Sequence, residues 1–334
     1  MPRIRTLVAA LTAQEISDFL PEPLFAEIKG MADEFVLLDP TEKGEVAYEE
    51  RLLAADPDVL LAGWKTPPLP PELPSRLLYV CYLPGSVRKL VGRAHIENGL
   101  LVTNWGGSVS RVVAECALML TLVCLRRGGH WMSAMRRPGV WKEARTETAS
   151  LFGRRVGLHG FGPIARELTR LLGPFGVEIE VFAPESDPAL YAAHGARRVS
   201  SLDELFANND VVIELAPLNP ETMGIVTERL LRLIPDGGVF VNVGRGAVVD
   251  EEALLRVARE GRIQVGLDVY ATEPLPADSG LRGLSNVALL PHLGGPTTDR
   301  CRDAGEFAQT NLRAYVSGNG LESVISPEVY DVST

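Results

Sequence analysis

Arg155-Val156-Gly157-Leu158-His159-Gly160-Phe161-Gly162-Pro163-Ile164-Ala165 is the stretch on which the fold turns. Residues 155–159 are a short apolar run of strand type, and residues 166–172 continue with helical spacing. Between them lies a match to G-x-G-x-x-G/A. Gly160 permits a tight turn, Gly162 lets a ligand approach the backbone, and the small Ala165 lets helix pack closely on strand. The helix N-terminus then offers free amides and the positive end of its dipole to phosphates. Such a pattern alone is more often chance than site, but a strand before it and a helix after it reverse those odds. The stretch predicts a dinucleotide site formed by Gly160, Phe161, Gly162, Pro163 and Ile164.

Working outward, apolar runs rich in Val, Ile and Leu alternate with longer amphipathic stretches, the pattern of parallel sheets covered by helices. One series of strands is expected at residues 5–10, 35–39, 59–62, 77–81 and 100–103. A second series of six is expected at 155–159, 177–182, 210–215, 239–243, 263–270 and 287–290. Between the two series, residues 108–127 read as one long helix that bridges two domains, with Arg126, Arg127, Gly128 and Gly129 as its cationic last turn and glycine stop. Residues 130–150 lack a clear period and read either as an arm packing on a second subunit or as a surface loop. A last helix starting near residue 298 is expected to return to the first series.

The second strand of the dinucleotide unit ends Val181-Phe182-Ala183-Pro184-Glu185, where an acidic residue roughly 20 positions after the glycines ordinarily holds the ribose hydroxyl. Ala183 cannot do this, and Glu185 is the candidate substitute. The nearest cations for a 2′-phosphate, Arg197 and Arg198, lie well downstream, so NAD is expected rather than NADP.

Composition narrows the class of function. With 334 residues, 46% of them hydrophobic, the chain can bury two cores of ordinary size. Lys and Arg number 33 against 43 Asp and Glu, and the net charge of -10 argues against nucleic acid or an anionic membrane as main partner. The four cysteines form no CxxC pair and read as reduced core residues. The N-terminus has no apolar run of signal-peptide strength, and the most apolar helical stretch, 112–125, falls short of the ~20 residues that span a bilayer. A cytoplasmic location follows as an expectation, and no metal site is indicated.

Three further blocks carry a resemblance. Val241-Asn242-Val243-Gly244-Arg245-Gly246-Ala247-Val248-Val249-Asp250 resembles the arginine motif of the D-isomer-specific 2-hydroxyacid dehydrogenases. Asp268-Val269-Tyr270-Ala271-Thr272-Glu273-Pro274 resembles their glutamate segment, and Leu290-Pro291-His292-Leu293-Gly294-Gly295 their histidine segment. With the glycine loop and Val113-Ala114-Glu115, the resemblance runs from about residue 76 to 300. It implies an oxidoreductase interconverting a 2-hydroxy acid and its 2-keto acid, with Arg245, Glu273 and His292 catalytic, and with Asp268 and the backbone near Val243 orienting the nicotinamide. It also implies an α/β fold of two doubly wound parallel-sheet domains: a flavodoxin-like substrate domain, 1–104 with 299–334, and a Rossmann dinucleotide-binding domain, 105–298. A homodimer built on the long helix and hinge closure of the two domains are expected with it.

Elementary chemistry points the same way. Reduction of a 2-keto acid needs a hydride donor, a proton for the carbonyl oxygen and a cation for the carboxylate. An imidazole suits the proton because its ordinary titration lies near working pH. A carboxylate beside it fixes its tautomer, the role given to Glu273. Arg245, flanked by glycines at a strand end, presents a planar fork to a carboxylate. Any one of the three alone would read as a solvated or satisfied side chain; their joint occurrence at strand ends after a dinucleotide loop carries the argument. His95, His130, His159 and His194 have no comparable context and read as structural.

The sequence departs from the family in the first-domain loops expected to hold substrate, Ala62-Gly63-Trp64-Lys65-Thr66 and Cys81-Tyr82-Leu83-Pro84-Gly85-Ser86. The second lacks the family's glycine-rich pattern ending in Asp, which leaves glyoxylate, hydroxypyruvate, lactate-type and phosphoglycerate-type substrates open. Relatives that act as nucleotide-sensing corepressors, and catalytically idle homologues, define the alternative reading.

Overall fold

The computed structural model describes residues 4–42, 44–142 and 146–332. It divides into two compact units, Met1–Val109 with Pro296–Thr334, and Ser110–Gly295.

The first unit is built on five parallel strands: β1 (Ile4–Ala10), β2 (Ala32–Leu38), β3 (Val59–Ala62), β4 (Tyr79–Tyr82) and β5 (Leu101–Thr103). Their order is β2-β1-β3-β4-β5, the flavodoxin-like arrangement, reversing direction between β1 and β3. The inner strands are continuous apolar runs because helices cover both faces; Leu7, Val8, Ala9 and Ala10 of β1 are fully buried. β2 is an edge strand and accordingly carries Asp33 and Glu34, with only Leu38 buried. The helix Cys301–Ser317 does return to this sheet, burying Cys301, Ala304, Ala308 and Leu312 in the same core as Leu7, Leu61 and Tyr79. Gly305 makes that crossing possible, since a Cβ there would lie 1.8 Å from the Phe19 carbonyl oxygen.

The second unit has seven parallel strands, one more than the sequence indicates. They are β6 (Arg155–His159), β7 (Glu178–Phe182), β8 (Ala196–Arg198), β9 (Val211–Glu214), β10 (Val239–Asn242), β11 (Gln264–Leu267) and β12 (Val287–Leu289). The order β12-β11-β10-β9-β6-β7-β8 is the Rossmann order extended by a seventh strand. The strand missing from the sequence reading is β8, three residues of which two are arginine. It escapes apolar patterning because it is a short, charged edge.

The helix Ser110–Leu125 belongs wholly to this unit rather than bridging two. It lies across β10 and β11, where Gly266 leaves room for it: a Cβ there would sit 3.1 Å from Cys124 Sγ and 3.2 Å from Leu120 Cβ. Its end also differs from expectation. Arg127 takes the left-handed conformation (φ 52°), and Gly128 begins a new helix, Gly128–Ala134, that runs into the segment 130–150 expected to lack a clear period. Gly128 and Gly129 are needed for packing, since a Cβ would meet Val123 at 2.6 Å in one case and the Val287 carbonyl oxygen at 2.8 Å in the other. Residues 143–145 of the expected arm lie outside the described residues.

Candidate active site

Parallel strands bring their C-terminal ends to one edge of the sheet, and the sequence motifs fall on the loops that leave that edge. After β6, Gly160 turns with φ 95°, its N–H donating to Phe182 O at 2.9 Å. A Cβ at Gly160 would stand 2.9 Å from Ala216 N and Cα, so only glycine fits. Gly162 faces open space and stands exposed before the helix Pro163–Leu172, while Ala165 is buried beneath that helix. These residues fit a dinucleotide: a tight turn, an unobstructed backbone, and helix amides beyond. Phe161, the expected site residue between the two glycines, has its ring buried and stacked on Tyr191 (centroids 5.0 Å, 4° between planes). At the end of β7, Ala183 is buried and its carbonyl accepts from Tyr191 Oη at 2.6 Å. Glu185 stands exposed in the following turn. Arg197 is engaged by Glu180 and Glu204, whereas Arg198 is exposed on β8.

The loop after β10 is held from within. Asn242, the last residue of the strand and fully buried, accepts from Gly244 N at 3.0 Å and donates to Arg245 O at 3.1 Å. Gly246 lies against the loop after β11 so closely that a Cβ would be 1.9 Å from Tyr270 C. Arg245, half-buried, donates from Nη1 to Gly244 O at 2.8 Å. Burial draws its guanidinium below the usual arginine range, and the nearby charge of Glu273 pulls it back up.

The loop after β12 is built on Asp268, just past the end of β11. This buried carboxylate accepts from Leu293 N at 2.7 Å and Gly294 N at 2.8 Å, and the Asp268 carbonyl accepts from His292 N at 2.9 Å. Gly294 is required, because a Cβ would meet Asp268 Oδ2 at 2.6 Å. His292 itself adopts φ 55°, a strained conformation for a non-glycine residue, tolerated because the loop is fixed on both sides. Its Nδ1 lies 2.6 Å from Glu273 Oε2, and the other carboxylate oxygen, Oε1, accepts from Tyr270 N at 3.0 Å. Tyr270, which sequence reasoning passed over, donates from Oη to Leu290 O at 2.6 Å and so ties the Glu273 loop to the His292 loop. Burial, with Asp268 nearby, pushes its phenol up to about 12.

The structure therefore pairs His292 with Glu273, sets Arg245 within reach of the Glu273 charge, and gives Asp268 the work of shaping the His292 loop. Val243 is buried. Two polar residues that the sequence reading did not weigh, Glu214 and Asn242, lie in this edge with His159. Burial pushes the thiols of Cys116 and Cys124 up to about 12, and those of Cys81 and Cys301 up to about 11. Among the described residues no helix is long and apolar enough to cross a membrane, and no three His, Cys, Asp or Glu side chains converge to hold a metal.

Sheet order, glycine turn and loop cluster together define a dinucleotide-binding α/β protein of the Rossmann class. Residues 118–294 match the family model described as the D-isomer specific 2-hydroxyacid dehydrogenase, NAD binding domain. A hydroxyphenylpyruvate reductase of Plectranthus scutellarioides is 35% identical over 67% of this chain and 71% of its own length. A D-3-phosphoglycerate dehydrogenase of Mycobacterium leprae is 33% identical over 70% of this chain, a match spanning only 44% of that relative. Among solved structures, a glyoxylate reductase from Paecilomyes thermophila superposes with TM-score 0.81 at 26% identity, covering 98% of this chain and all of the other. The chain belongs to the D-isomer-specific 2-hydroxyacid dehydrogenase family.

Proposed function

We propose that the protein transfers hydride between NAD(H) and a 2-hydroxy acid/2-keto acid pair, with His292, Glu273 and Arg245 as catalytic residues. The observation that carries this reading is the exposed His292–Glu273 pair, held by a strained, doubly anchored loop on the same sheet edge as the glycine turn. When bound, the dinucleotide supplies or accepts the hydride. The chain's own residues do the rest. Nδ1 of His292 donates to Glu273, which leaves Nε2 to deliver the proton to the carbonyl oxygen in reduction and to take the hydroxyl proton in oxidation. Glu273, held in turn by Tyr270 N, fixes the ring's orientation and tautomer. Arg245 offers its fork to the substrate carboxylate, and its partial burial strengthens that bond. Asp268 acts through the His292 loop it builds, and Val243 contributes its main chain to the nicotinamide pocket.

NAD is assigned over NADP because the turn after β7 carries Glu185 and no cation, and Arg197 is already engaged, which leaves only the exposed Arg198, one strand away on β8, as a cation for a 2′-phosphate. Substrate recognition is assigned to the first unit, whose strand order reverses between β1 and β3, the position at which such sheets take ligands. There Trp64, edge-on to Phe19 at 4.9 Å and Trp105 at 6.3 Å, remains 50% exposed. A homodimer is supported by an apolar hollow on the helix Ser110–Leu125, lined by Leu118, Met119, Leu122 and Val123 with Met132. A Met119→Glu variant should sediment as a monomer. A cytoplasmic setting suits four unpaired cysteines. The nucleotide-sensing alternative draws no support from the relatives described above.

The test is loss of NADH absorbance with glyoxylate, hydroxypyruvate, pyruvate and phenylpyruvate in turn, repeated with NADPH. Turnover with NADH supports the reading and gives the substrate class. Silence with every acid, despite measurable NADH binding, overturns it.

A further inference from the structure

Three adjacent strands of the second unit end in buried polar residues: β6 in His159, β9 in Glu214 and β10 in Asn242. They are register partners in a row across the sheet, on one face. Asn242 has an evident task, holding the Arg245 loop. The other two form a pair, His159 Nδ1 to Glu214 Oε2 at 2.5 Å, in which the imidazole is 4% exposed and the carboxylate fully buried. The remaining carboxylate oxygen, Oε1, accepts from Ala216 N at 2.8 Å. Stability alone gives no reason for such a pair, because two apolar residues of similar volume generally serve a protein interior as well or better.

Its location supplies a reason. Ala216, which Glu214 holds, is the residue the Gly160 turn leans on, 2.9 Å from a would-be Cβ. The same segment touches the Arg245 loop on its other side, where a Cβ at Gly244 would lie 3.2 Å from Glu214 O and 3.4 Å from Ala216 O. The pair thus clasps the glycine turn to the chain segment lying between it and Arg245.

We propose that His159 and Glu214 are positioning residues for the dinucleotide, setting the Gly160 turn through the Ala216 segment that Glu214 holds. The inference rests on the dinucleotide reading of that turn. The pair is backed on its own face by Phe182 of β7, 5.9 Å between rings, and by the neutral Asn242 of β10, so among the described residues no neighbouring side chain on these strands competes for the Glu214 carboxylate.

The experiment is NADH binding by quenching of protein fluorescence on the intact chain, native and Glu214→Gln. The variant should bind NADH about tenfold more weakly, the loss expected when a buried hydrogen bond to a charged group is weakened, while kcat at saturating NADH stays close to native. Should that variant fail to fold, hydrogen exchange of the native protein decides: the Ala216 amide, which Glu214 holds, should gain protection when NADH binds. Native NADH affinity in folded Glu214→Gln, or an Ala216 amide whose protection NADH leaves unchanged, overturns the inference. Absence of NADH binding by the native protein overturns the dinucleotide reading and this inference together.

Discussion

Two imidazole–carboxylate pairs stand at one edge of the same sheet, His292–Glu273 at 2.6 Å and His159–Glu214 at 2.5 Å, and their surroundings are opposite. The first pair has side chains 46% and 34% exposed, the second 5% and 0%. The groups and separations are nearly the same, so what differs is access. A pair open to solvent can hand a proton to a ligand, and its Coulombic contribution to stability is small because water competes for both partners. A pair sealed in a sheet cannot touch substrate. Its removal by halves is costly, because the partner left behind is a polar group without water. Position in the strand matters as well: His292 follows β12 on a loop bent outward by Asp268, whereas His159 is the last in-register residue of β6 and points into the helix-covered face.

The same substitution at the two carboxylates sharpens this contrast most. Glu214→Ala should lower unfolding free energy by about 3–5 kcal/mol, the cost of breaking a buried pair. Glu273→Ala should cost no more than about 1 kcal/mol. Urea denaturation of both reads the difference, and equal midpoints would remove the distinction. Next in size, His292→Ala should cut turnover by ~10² or more, the usual worth of a positioned acid, while leaving NADH binding and thermal stability in place. A variant with native turnover would take His292 out of the mechanism.

Gly246→Ala tests how the two loops share one space. Its Cβ would lie 1.9 Å from Tyr270 C, and the overpacking should cost roughly 1–3 kcal/mol and loosen Arg245. The kinetic sign would be a raised KM for the keto acid with little change in NADH affinity. An unaltered KM would mean that the loop relaxes freely. The smallest effect expected is from Ala183→Asp, which places a carboxylate at the end of β7 and should raise the preference for NADH over NADPH several-fold. Equal affinities before and after would leave cofactor choice to other residues.

Much of the site was legible because its signals are local. Gly160, Gly162 and Ala165 follow a strand and open a helix within a few residues, and Arg245, Glu273 and His292 sit in short blocks with glycine or proline beside them. β8 was invisible, since three residues with two arginines carry no period. The end of the long helix was misread because glycine was taken as a stop, whereas the space at Gly128 is occupied by Val123 of that same helix and the space at Gly129 by Val287 of β12. His159 was given a default structural role because its partner lies 55 residues away. One signal was present: in a parallel sheet covered on both faces, a polar residue ending an apolar strand calls for a partner. His159, Glu214 and Asn242 all occupy such positions.

By itself the sequence determined the residue types and the periods: two series of buried strands, a glycine turn between strand and helix, and an arginine, a glutamate and a histidine each near a strand end. Periodicity is a property of neighbours along the chain, and it survives without knowledge of the fold. Only the tertiary structure decided which carboxylate serves which imidazole, which pair meets solvent, and that Asp268 shapes the loop carrying His292. Those outcomes depend on strand order and on whether a side chain at a strand end turns toward covered helices or toward open water. Contacts across 19 to 55 residues of chain set both.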